Sequence, residues 1–234
     1  MDINCDMGEG MSNDALIMPF ITSANIACGY HAGSEDIMRS TIALALKYHV
    51  NVGAHPSFKD RENFGRMEMQ LSKGEIYDLV IEQLQIMQRI TGELGTTMHH
   101  VKPHGALYNM SAKNIDLAET IARAIKDFNK ELVLFGLSGS LSVSAAAEIG
   151  LKTKNEVFAD RTYQDDGSLT SRKEPNSMIL NVEECLLHVI EMTEHKRVIS
   201  VNGKSIPVMA DTICIHGDGR NAVAFAEAIS RKYQ

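Results

Sequence analysis

Short apolar runs alternate with longer amphipathic segments along almost the whole chain. The short runs are typical of buried strands, bounded by turn-forming residues. They are Asp2–Cys5, Thr22–Cys28, Asn51–Ala54, Met98–Pro103, Leu132–Leu137, Glu156–Asp160 and Thr212–His216. The longer segments repeat apolar residues at three- and four-residue steps, which predicts helices with one buried face. They are approximately Glu35–Tyr48, Ser72–Leu94, Ile115–Phe128, Ser140–Ile149, Val182–Thr193 and Ala222–Lys232.

The clearest helical pattern begins with a recognisable cap. Ser72 and Glu75 stand three residues apart, directly before the apolar repeat. This is the spacing of a capping box, in which each side chain binds the backbone N–H of the other residue. The pattern therefore predicts that this helix begins at Ser72.

Regular strand–helix alternation predicts a mostly parallel sheet covered by helices. About seven such units favour a closed (β/α) barrel, with an open doubly wound sheet as the alternative. The segment Arg197–Val208 breaks the alternation, and Asn202-Gly203 within it predicts a β-hairpin inserted before the last strand. We find no linker or repeat, so residues 1–234 are predicted to form a single domain.

Composition narrows the function classes. The 234 residues are 44% hydrophobic and 23% charged, with a formal net charge of −7, so the positive surface that nucleic acids require is not evident. No signal segment is recognisable, and no apolar stretch approaches the roughly 18 residues of a membrane span, so we expect a cytoplasmic protein without membrane contact.

The four cysteines form no CxxC pair, which favours a reducing compartment. Cys28 stands close to His31 in sequence, so cysteine nucleophilic catalysis is conceivable. A small buried hydrophobic side chain is the preferred interpretation of Cys28.

Polar side chains follow six of the predicted strands, mostly within turns that contain glycine or proline. The groups are Asn4 with Asp6 and Glu9, His31, His55, Lys102 with His104, Asp160 with Arg161, and His216 with Asp218. Functional residues of parallel α/β folds gather at the carboxyl ends of the strands. The sequence therefore predicts an active site at that end.

These groups allow two kinds of chemistry. Asp6, His31 and His55 follow three successive strands, and one carboxylate with two imidazoles suits a divalent metal that activates water. The same groups can instead bind substrate and transfer protons without a metal. Lys102 and His104 offer positive charge for a carboxylate or a phosphate.

A further anion site is predicted where the last strand enters its helix. The turn His216–Asn221 is rich in glycine, and backbone N–H groups at such a junction bind anions. An ordinary glycine-rich helix start is the alternative.

Several blocks of sequence together resemble a known family. They are DINCDMGE (Asp2–Glu9), SANIACGYHAG (Ser23–Gly33), GAHPSF (Gly53–Phe58), FGR (Phe64–Arg66), VKPHGALYN (Val101–Asn109), VFADRTYQDDGSL (Val157–Leu169) and IHGD (Ile215–Asp218). In order and over essentially the whole chain, they are similar to the LamB/YcsF family. The resemblance implies a seven-stranded barrel related to the glycoside hydrolase/deacetylase superfamily.

The resemblance also implies an activity: ATP-dependent hydrolytic opening of 5-oxo-L-proline (pyroglutamate) to L-glutamate, together with two partner subunits, B and C. Carried over by position, the catalytic residues are Asp6, His31, His55, Lys102, His104, Asp160 and Arg161, and the substrate-binding residues are Asn4, Glu9, Asn25, Arg66, His216 and Asp218. The chain departs from the family pattern at Met67, where a second Arg is common, at Asn63, where Gly is common, and at Ser34-Glu35, where Asp-Pro is common.

The implied chemistry matches these residue types. A lactam is a poorly electrophilic amide, and phosphorylation of its oxygen by ATP makes the ring carbon open to attack by water. Lys102, Arg161 and His104 are candidates for binding the phosphate and the substrate carboxylate. Asp6 and His55 are candidates for the base that activates water.

Two other functions stay open at this point. One is a stand-alone metal-dependent amidohydrolase or deacetylase, and the other is a non-catalytic subunit that binds substrate for a partner.

Overall fold

Seven parallel strands close into a barrel, which confirms the predicted fold class. The computed structural model describes residues 1–233. The barrel strands are β1 (Asp2–Met7), β2 (Ser23–Ala27), β3 (Asn51–His55), β4 (His100–Val101), β5 (Val133–Leu137), β6 (Lys152–Phe158) and β9 (Thr212–His216). They are hydrogen-bonded in that order, and β9 closes the barrel by pairing with both β1 and β6.

Helices surround the barrel. They are α1 (Asp14–Ile17), α2 (Glu35–Lys47), α3 (Lys73–Glu93), α4 (Gly105–Ser111), α5 (Ile115–Phe128), α6 (Leu141–Glu148), α7 (Val182–Thr193) and α8 (Ala222–Tyr233), with a 3₁₀ turn at Met18–Phe20. The six helices predicted from periodicity are all present. The short helices α1 and α4 were not predicted, because neither is long enough to show the three- and four-residue recurrence of apolar side chains. Among residues 1–233, no helix has the length and apolar character needed to cross a membrane.

Two local predictions are confirmed. The side chain of Ser72 accepts from the N–H of Glu75, and the Glu75 carboxylate accepts from the N–H of Ser72, which completes the capping box. The predicted hairpin forms from the antiparallel strands β7 (Arg197–Ile199) and β8 (Ser205–Pro207). Gly203 lies in its turn with a φ of +82°, a conformation that glycine adopts at little cost.

Strand boundaries differ most from prediction in β6 and β4, and by at most two residues in the other strands. β6 begins at Lys152 rather than Glu156, because its first residues are polar and partly exposed although they pair with β5. β4 contains only His100–Val101, a short stretch of the predicted Met98–Pro103. Pro103 has no N–H to donate to a ladder, so pairing cannot continue through it.

The barrel has an apolar outer surface and a polar interior. Alternate strand residues such as Ile3, Val101 and Ile213 are fully buried in the hydrophobic core that the helices cover. The intervening residues bond to one another across the barrel: the ring of His100 on β4 contacts Asn25 on β2 at 2.8 Å. Barrel interiors are usually filled by branched apolar side chains. This interior therefore has the composition of a functional site.

A glycine makes room for the buried imidazole of His100. Gly53 is its register partner on β3, and a Cβ at Gly53 would lie 2.1 Å from His100 Nε2. The other face of the ring stacks on Phe135 at a centroid distance of 4.2 Å, so the ring has no room to retreat.

Gly53→Ala is therefore expected to lower the free energy of unfolding by about 3 kcal/mol, which is the upper end of the usual loss when a core is overpacked. Denaturant titration measures this loss. Gly92→Ala in α3 is the matched control: a Cβ there meets no atom within 4 Å, and the change should stabilise by about 0.5–1 kcal/mol. Equal stability of the Gly53 variant and wild type would contradict the packing described.

Candidate active site

A pocket of about 660 Å³ lies at the carboxyl ends of the barrel strands. Nine of the thirteen residues predicted as functional line it: Asp6, Glu9, His55, Arg66, Lys102, His104, Arg161, His216 and Asp218. The other four, Asn4, Asn25, His31 and Asp160, contact lining residues instead. A second cavity of about 510 Å³, between α7 and the β7–β8 hairpin, contains none of the thirteen.

Three imidazoles and a carboxylate form a buried cluster at the base of the pocket. His55 Nε2 lies 2.9 Å from His104 Nδ1. Glu9 Oε1 lies 3.1 Å from His31 Nε2, 3.4 Å from His104 Nδ1 and 3.9 Å from His55 Nε2. The ligand-type atoms of all four residues lie within 4.8 Å of one another, so the cluster is able to hold a metal ion.

Burial sets the charge state of this cluster. It lowers the pKa of His31 to about 2, with a further contribution from His55. Burial, with a further contribution from His55, holds the pKa of His104 well below its usual value, so the rings of His31 and His104 are neutral at pH 7. Burial and the charges of Asp6 and Asp218 raise the pKa of Glu9 well above its usual range. The cluster thus contains two neutral imidazoles and a carboxyl group whose ionised form is disfavoured unless a cation lies beside it.

Asp6 is grouped differently from the sequence-based expectation. Prediction placed it with His31 and His55 as a metal ligand. Its Oδ1 binds the ammonium of Lys102 at 2.9 Å and the side-chain amide of Asn25 at 2.9 Å, while its Oδ2 lies 3.4 Å from His55 Nε2. One oxygen is therefore held by the barrel interior, and the other faces the imidazole cluster.

The ammonium of Lys102 lines the pocket but is already paired within the barrel. Its ammonium lies 3.0 Å from Glu156 Oε1 and 3.0 Å from Cys214 Sγ, besides its contact with Asp6. Burial alone would lower its pKa, but Asp6, Cys214 and Glu156 outweigh this effect and hold that pKa well above its usual value. With both neighbouring carboxylates bound, Lys102 has little capacity left for a phosphate.

A network of amides lies one layer deeper. The amide nitrogen of Asn25 donates to Asn4 Oδ1 at 2.7 Å, and that of Asn4 donates to the hydroxyl of Thr212 at 2.8 Å. Both asparagines are fully buried and do not line the pocket. Their contacts support Asp6 and Lys102 from below.

His216, at the end of β9 and beside Asp6 on β1, forms a hydrogen-bonded pair with Asp160, which lies just after the neighbouring strand β6. Asp160 accepts from His216 Nδ1 at 2.9 Å and from the His216 backbone N–H at 3.1 Å. The ring also stacks on Phe158 at 5.3 Å. Because Nδ1 is committed to Asp160, Nε2 is the ring atom able to exchange a proton with a bound ligand.

Residues 161–179, called the arm below, extend over the pocket. Two bridges, Arg161 to Met178 and Tyr163 to Leu169, fold the arm back on itself. Arg161 was predicted to bind phosphate, but its guanidinium donates to the carbonyl oxygens of Ser177 and Thr170. Burial lowers its pKa to about 10. These contacts make Arg161 the anchor of the arm.

The more exposed cations of the pocket come from two loops. Arg66 follows β3 and contacts Asp218 Oδ2 at 2.8 Å, while Arg172 in the arm contacts the same oxygen at 3.3 Å. Lys173 lines the pocket beside Arg172. Both guanidiniums keep donors in excess of those that one carboxylate oxygen accepts. The pocket therefore offers an anion site near its opening.

Sequence reasoning missed several residues of the site. Glu156 sits in mid-strand, and the hydroxyl of Tyr108 donates to it at 2.7 Å. The available signal for Glu156 was a charged residue directly before the apolar pair Val157-Phe158, at an alternate position that faces the barrel. Arg172 stands in an aperiodic segment, and no local pattern marks it. Ser57, which contacts His31 Nδ1 at 2.9 Å, lies within the quoted GAHPSF block.

The cysteines are buried thiols. All four are free and buried. Burial raises the pKa of Cys28 to about 12 and the pKa of Cys214 well above its usual value. Thiols of this kind are poor nucleophiles, because the thiolate is the reactive form. The preferred interpretation of Cys28 as a small buried side chain agrees with its position.

Comparisons with known proteins agree with this architecture. The model of the LamB/YcsF family matches residues 1–234. A relative from Brevibacillus brevis, which is named as the A subunit of 5-oxoprolinase, is 52% identical, with 98% of this chain and 92% of the relative covered. A protein of the same name from Tolumonas auensis is 49% identical, with 98% and 93% covered. The crystal structure of a lactam utilization protein from Thermus thermophilus matches with a TM-score of 0.91 at 37% identity, covering 99% of this chain and 94% of that one.

Proposed function

This chain belongs to the LamB/YcsF family, and from that premise we propose that it opens 5-oxo-L-proline hydrolytically to L-glutamate. It acts as the A subunit of a multi-subunit 5-oxoprolinase, with B and C subunits as partners and with ATP as co-substrate. The names of its relatives support this substrate and this place in an assembly.

The observation that carries the proposal is the division of the pocket into two regions. A deep region combines Asp6, Glu9, His55 and His104, while the guanidiniums of Arg66 and Arg172 lie near the opening. 5-Oxoproline has the same division: a lactam at one end and a carboxylate at the other. When the substrate carboxylate binds the two arginines, the lactam ring is directed toward the acidic and imidazole side chains of the deep region.

The reaction proceeds in three steps. The terminal phosphoryl group of ATP passes to the lactam oxygen and ADP leaves, which makes the ring carbon electrophilic. Water then attacks that carbon and loses its protons, the ring C–N bond breaks, and the ring nitrogen takes up a proton to leave γ-glutamyl phosphate. A second water releases phosphate and gives glutamate.

The geometry suggests a role for each group. Asp6 Oδ2 accepts a hydrogen bond from the attacking water and orients it. His216 Nε2 donates the proton to the leaving nitrogen, while Asp160 holds the ring in position. Lys102 holds Asp6 and neutralises part of its charge. This assignment replaces the phosphate-binding role that sequence reasoning gave to Lys102.

The deciding experiment measures glutamate release from 5-oxoproline. The chain is assayed alone and with candidate B and C subunits, each with and without ATP and a chelator. The proposal expects release only with both partners and ATP. ATP-independent, chelator-sensitive release by the chain alone would support the amidohydrolase alternative, which the metal-capable cluster favours. A non-catalytic binding subunit expects substrate binding without release by the chain alone, and release with the partners that does not depend on His216 of this chain.

Arg172 provides a test of carboxylate recognition. Arg172→Gln is expected to raise the KM for 5-oxoproline about 10- to 100-fold with little change in kcat, because a charge-assisted contact made equally in substrate and transition state is lost. Steady-state kinetics of the assembled enzyme measure both constants. Arg197→Gln, at a surface arginine paired with Glu191, is the matched control and should leave KM unchanged. An unchanged KM in the Arg172 variant would refute the assignment.

A further inference from the structure

Two imidazole nitrogens face each other at the base of the pocket without a donor of their own. His55 Nδ1 lies 2.7 Å from the carbonyl oxygen of Lys102, and His104 Nε2 lies 2.9 Å from that of Phe64. A carbonyl oxygen only accepts, so both of these nitrogens carry hydrogen. When each ring carries only that hydrogen, His55 Nε2 and His104 Nδ1 present lone pairs to each other at 2.9 Å. Two facing lone pairs repel, so the contact calls for a positive charge, either a metal ion or a shared proton, between or beside the two nitrogens.

A carboxylate oxygen completes a triangle with these nitrogens. Glu9 Oε1 lies 3.4 Å from His104 Nδ1 and 3.9 Å from His55 Nε2. In a tetrahedral zinc site with bonds of about 2.0–2.1 Å, ligand atoms are separated by about 3.3 Å. The three observed separations lie on both sides of that value. The rings of His55 and His104 meet at 83°, so both lone pairs are able to point at one ion in their ring planes.

His31 does not belong to this triangle. Its ring lies parallel to that of His104, at 5° and a centroid distance of 3.8 Å, so the two rings cannot both hold the same ion in their planes. It also does not line the pocket, whereas Glu9, His55 and His104 do. His31 contacts Glu9 Oε1 through Nε2 and Ser57 through Nδ1, which is the position of a residue that orients a ligand.

We propose that Glu9 Oε1, His55 Nε2 and His104 Nδ1 bind one divalent transition-metal ion, with Zn²⁺ the best match, and leave a coordination position open to the pocket. Two imidazoles and one carboxylate form a ligand set that suits Zn²⁺, Co²⁺ or Fe²⁺ better than Mg²⁺ or Ca²⁺. Three protein ligands with an open position are typical of catalytic zinc sites.

An ion bound by these three residues could activate a water molecule in the pocket. Asp6 Oδ2 lies 3.4 Å from His55 Nε2 and lines the same pocket, so it is placed to accept a hydrogen bond from a water on the open position. The ion would lower the pKa of that water and thereby supply the nucleophile. This use rests on the proposed function, whereas binding of the ion does not.

The test is a titration of the chelator-treated full chain with Co²⁺, followed by visible absorption, and with Zn²⁺ in competition. One equivalent per chain and the visible bands of four- or five-coordinate Co²⁺ are expected. Glu9→Gln and His104→Gln should lose stoichiometric binding, while Ser57→Ala should weaken it about 10- to 100-fold through the orienting residue His31. His99→Gln, at a half-buried histidine outside the site, is the matched control and should bind as wild type does.

X-ray absorption at the zinc edge of the loaded wild-type chain gives a result that does not depend on the folding of variants. The proposal expects two imidazoles and oxygen donors without sulfur. Sulfur ligation would place the ion at Asp6, Cys214 and His216, the other group of potential ligands, and would overturn the assignment. Absence of binding to wild type would overturn it as well, since the two imidazoles would then share a proton. Neither result depends on glutamate release, so failure of this proposal is distinguishable from failure of the proposed function.

Discussion

Lys102→Met is expected to lower the free energy of unfolding by about 3–5 kcal/mol, the largest loss of stability that we predict for a single substitution in this chain. The ammonium lies 2.9 Å from Asp6 and 3.0 Å from Glu156, and all three side chains are almost fully buried. Removing it leaves two carboxylates in a low dielectric without their shared counterion, whereas the methionine fills a similar volume. Denaturant unfolding at neutral pH measures the loss.

Two controls separate the charge effect from packing. Lys152→Met removes an exposed lysine paired with Glu131 and should leave stability nearly unchanged, because exposed ion pairs contribute little. Adding Asp6→Asn to Lys102→Met should restore part of the loss, since one uncompensated carboxylate is then removed. If the single Lys102 variant unfolds like wild type, the buried charge cluster is not as described.

His216→Gln is expected to reduce kcat of the assembled enzyme about 10²- to 10⁴-fold, with a smaller effect on KM. The proposed proton donor to the leaving nitrogen is then lost, and general acid catalysis contributes rate factors of this size. His195→Gln changes an exposed histidine near Glu191 and should leave kcat unchanged. An active His216 variant with wild-type kcat would remove His216 from the mechanism.

Asp160 is expected to act only through His216. Asp160→Asn should lower kcat as well, because the amide no longer holds the ring in the same proton state. The double variant Asp160→Asn with His216→Gln should be no slower than His216→Gln alone, since residues that act as a unit are not additive. Additive losses would show that the two side chains contribute independently.

The fold was predictable because its signals are local. Every predicted apolar run overlaps a strand of the barrel, and every predicted helical segment overlaps a helix. The least accurate strand is β4, where the ladder is short although the backbone N–H of Lys102 still bonds to Ala54 at 2.9 Å. The start of β6 was predicted four residues too late because its first residues are polar. Apolar runs mark only the buried part of a strand, so a prediction from hydrophobicity misses paired residues that are exposed.

The candidate site was predictable only in part, since its contacts are long-range. The rule that function gathers at strand ends places nine predicted residues at one pocket. It says nothing of which partner each side chain contacts. From the sequence alone, Lys102 has the character of an anion-binding residue. In the folded chain, Asp6 on β1 and Glu156 on β6 already occupy its ammonium group. Arg161 likewise has the character of a phosphate-binding residue in the sequence. In the folded chain, its guanidinium donates to two carbonyl oxygens of the arm.

The polar interior of the barrel also sets the direction in which a charged ligand enters. At the base of the pocket, the carboxylates of Asp6 and Glu156 and the ammonium of Lys102 together carry a formal charge of −1. Because these groups are buried in a low dielectric, the effect of this charge extends over several ångströms. An anion approaching the barrel axis is repelled from below and attracted by Arg66 and Arg172 near the opening. For the proposed substrate, this charge distribution favours entry of the neutral lactam first and keeps the carboxylate near the entrance.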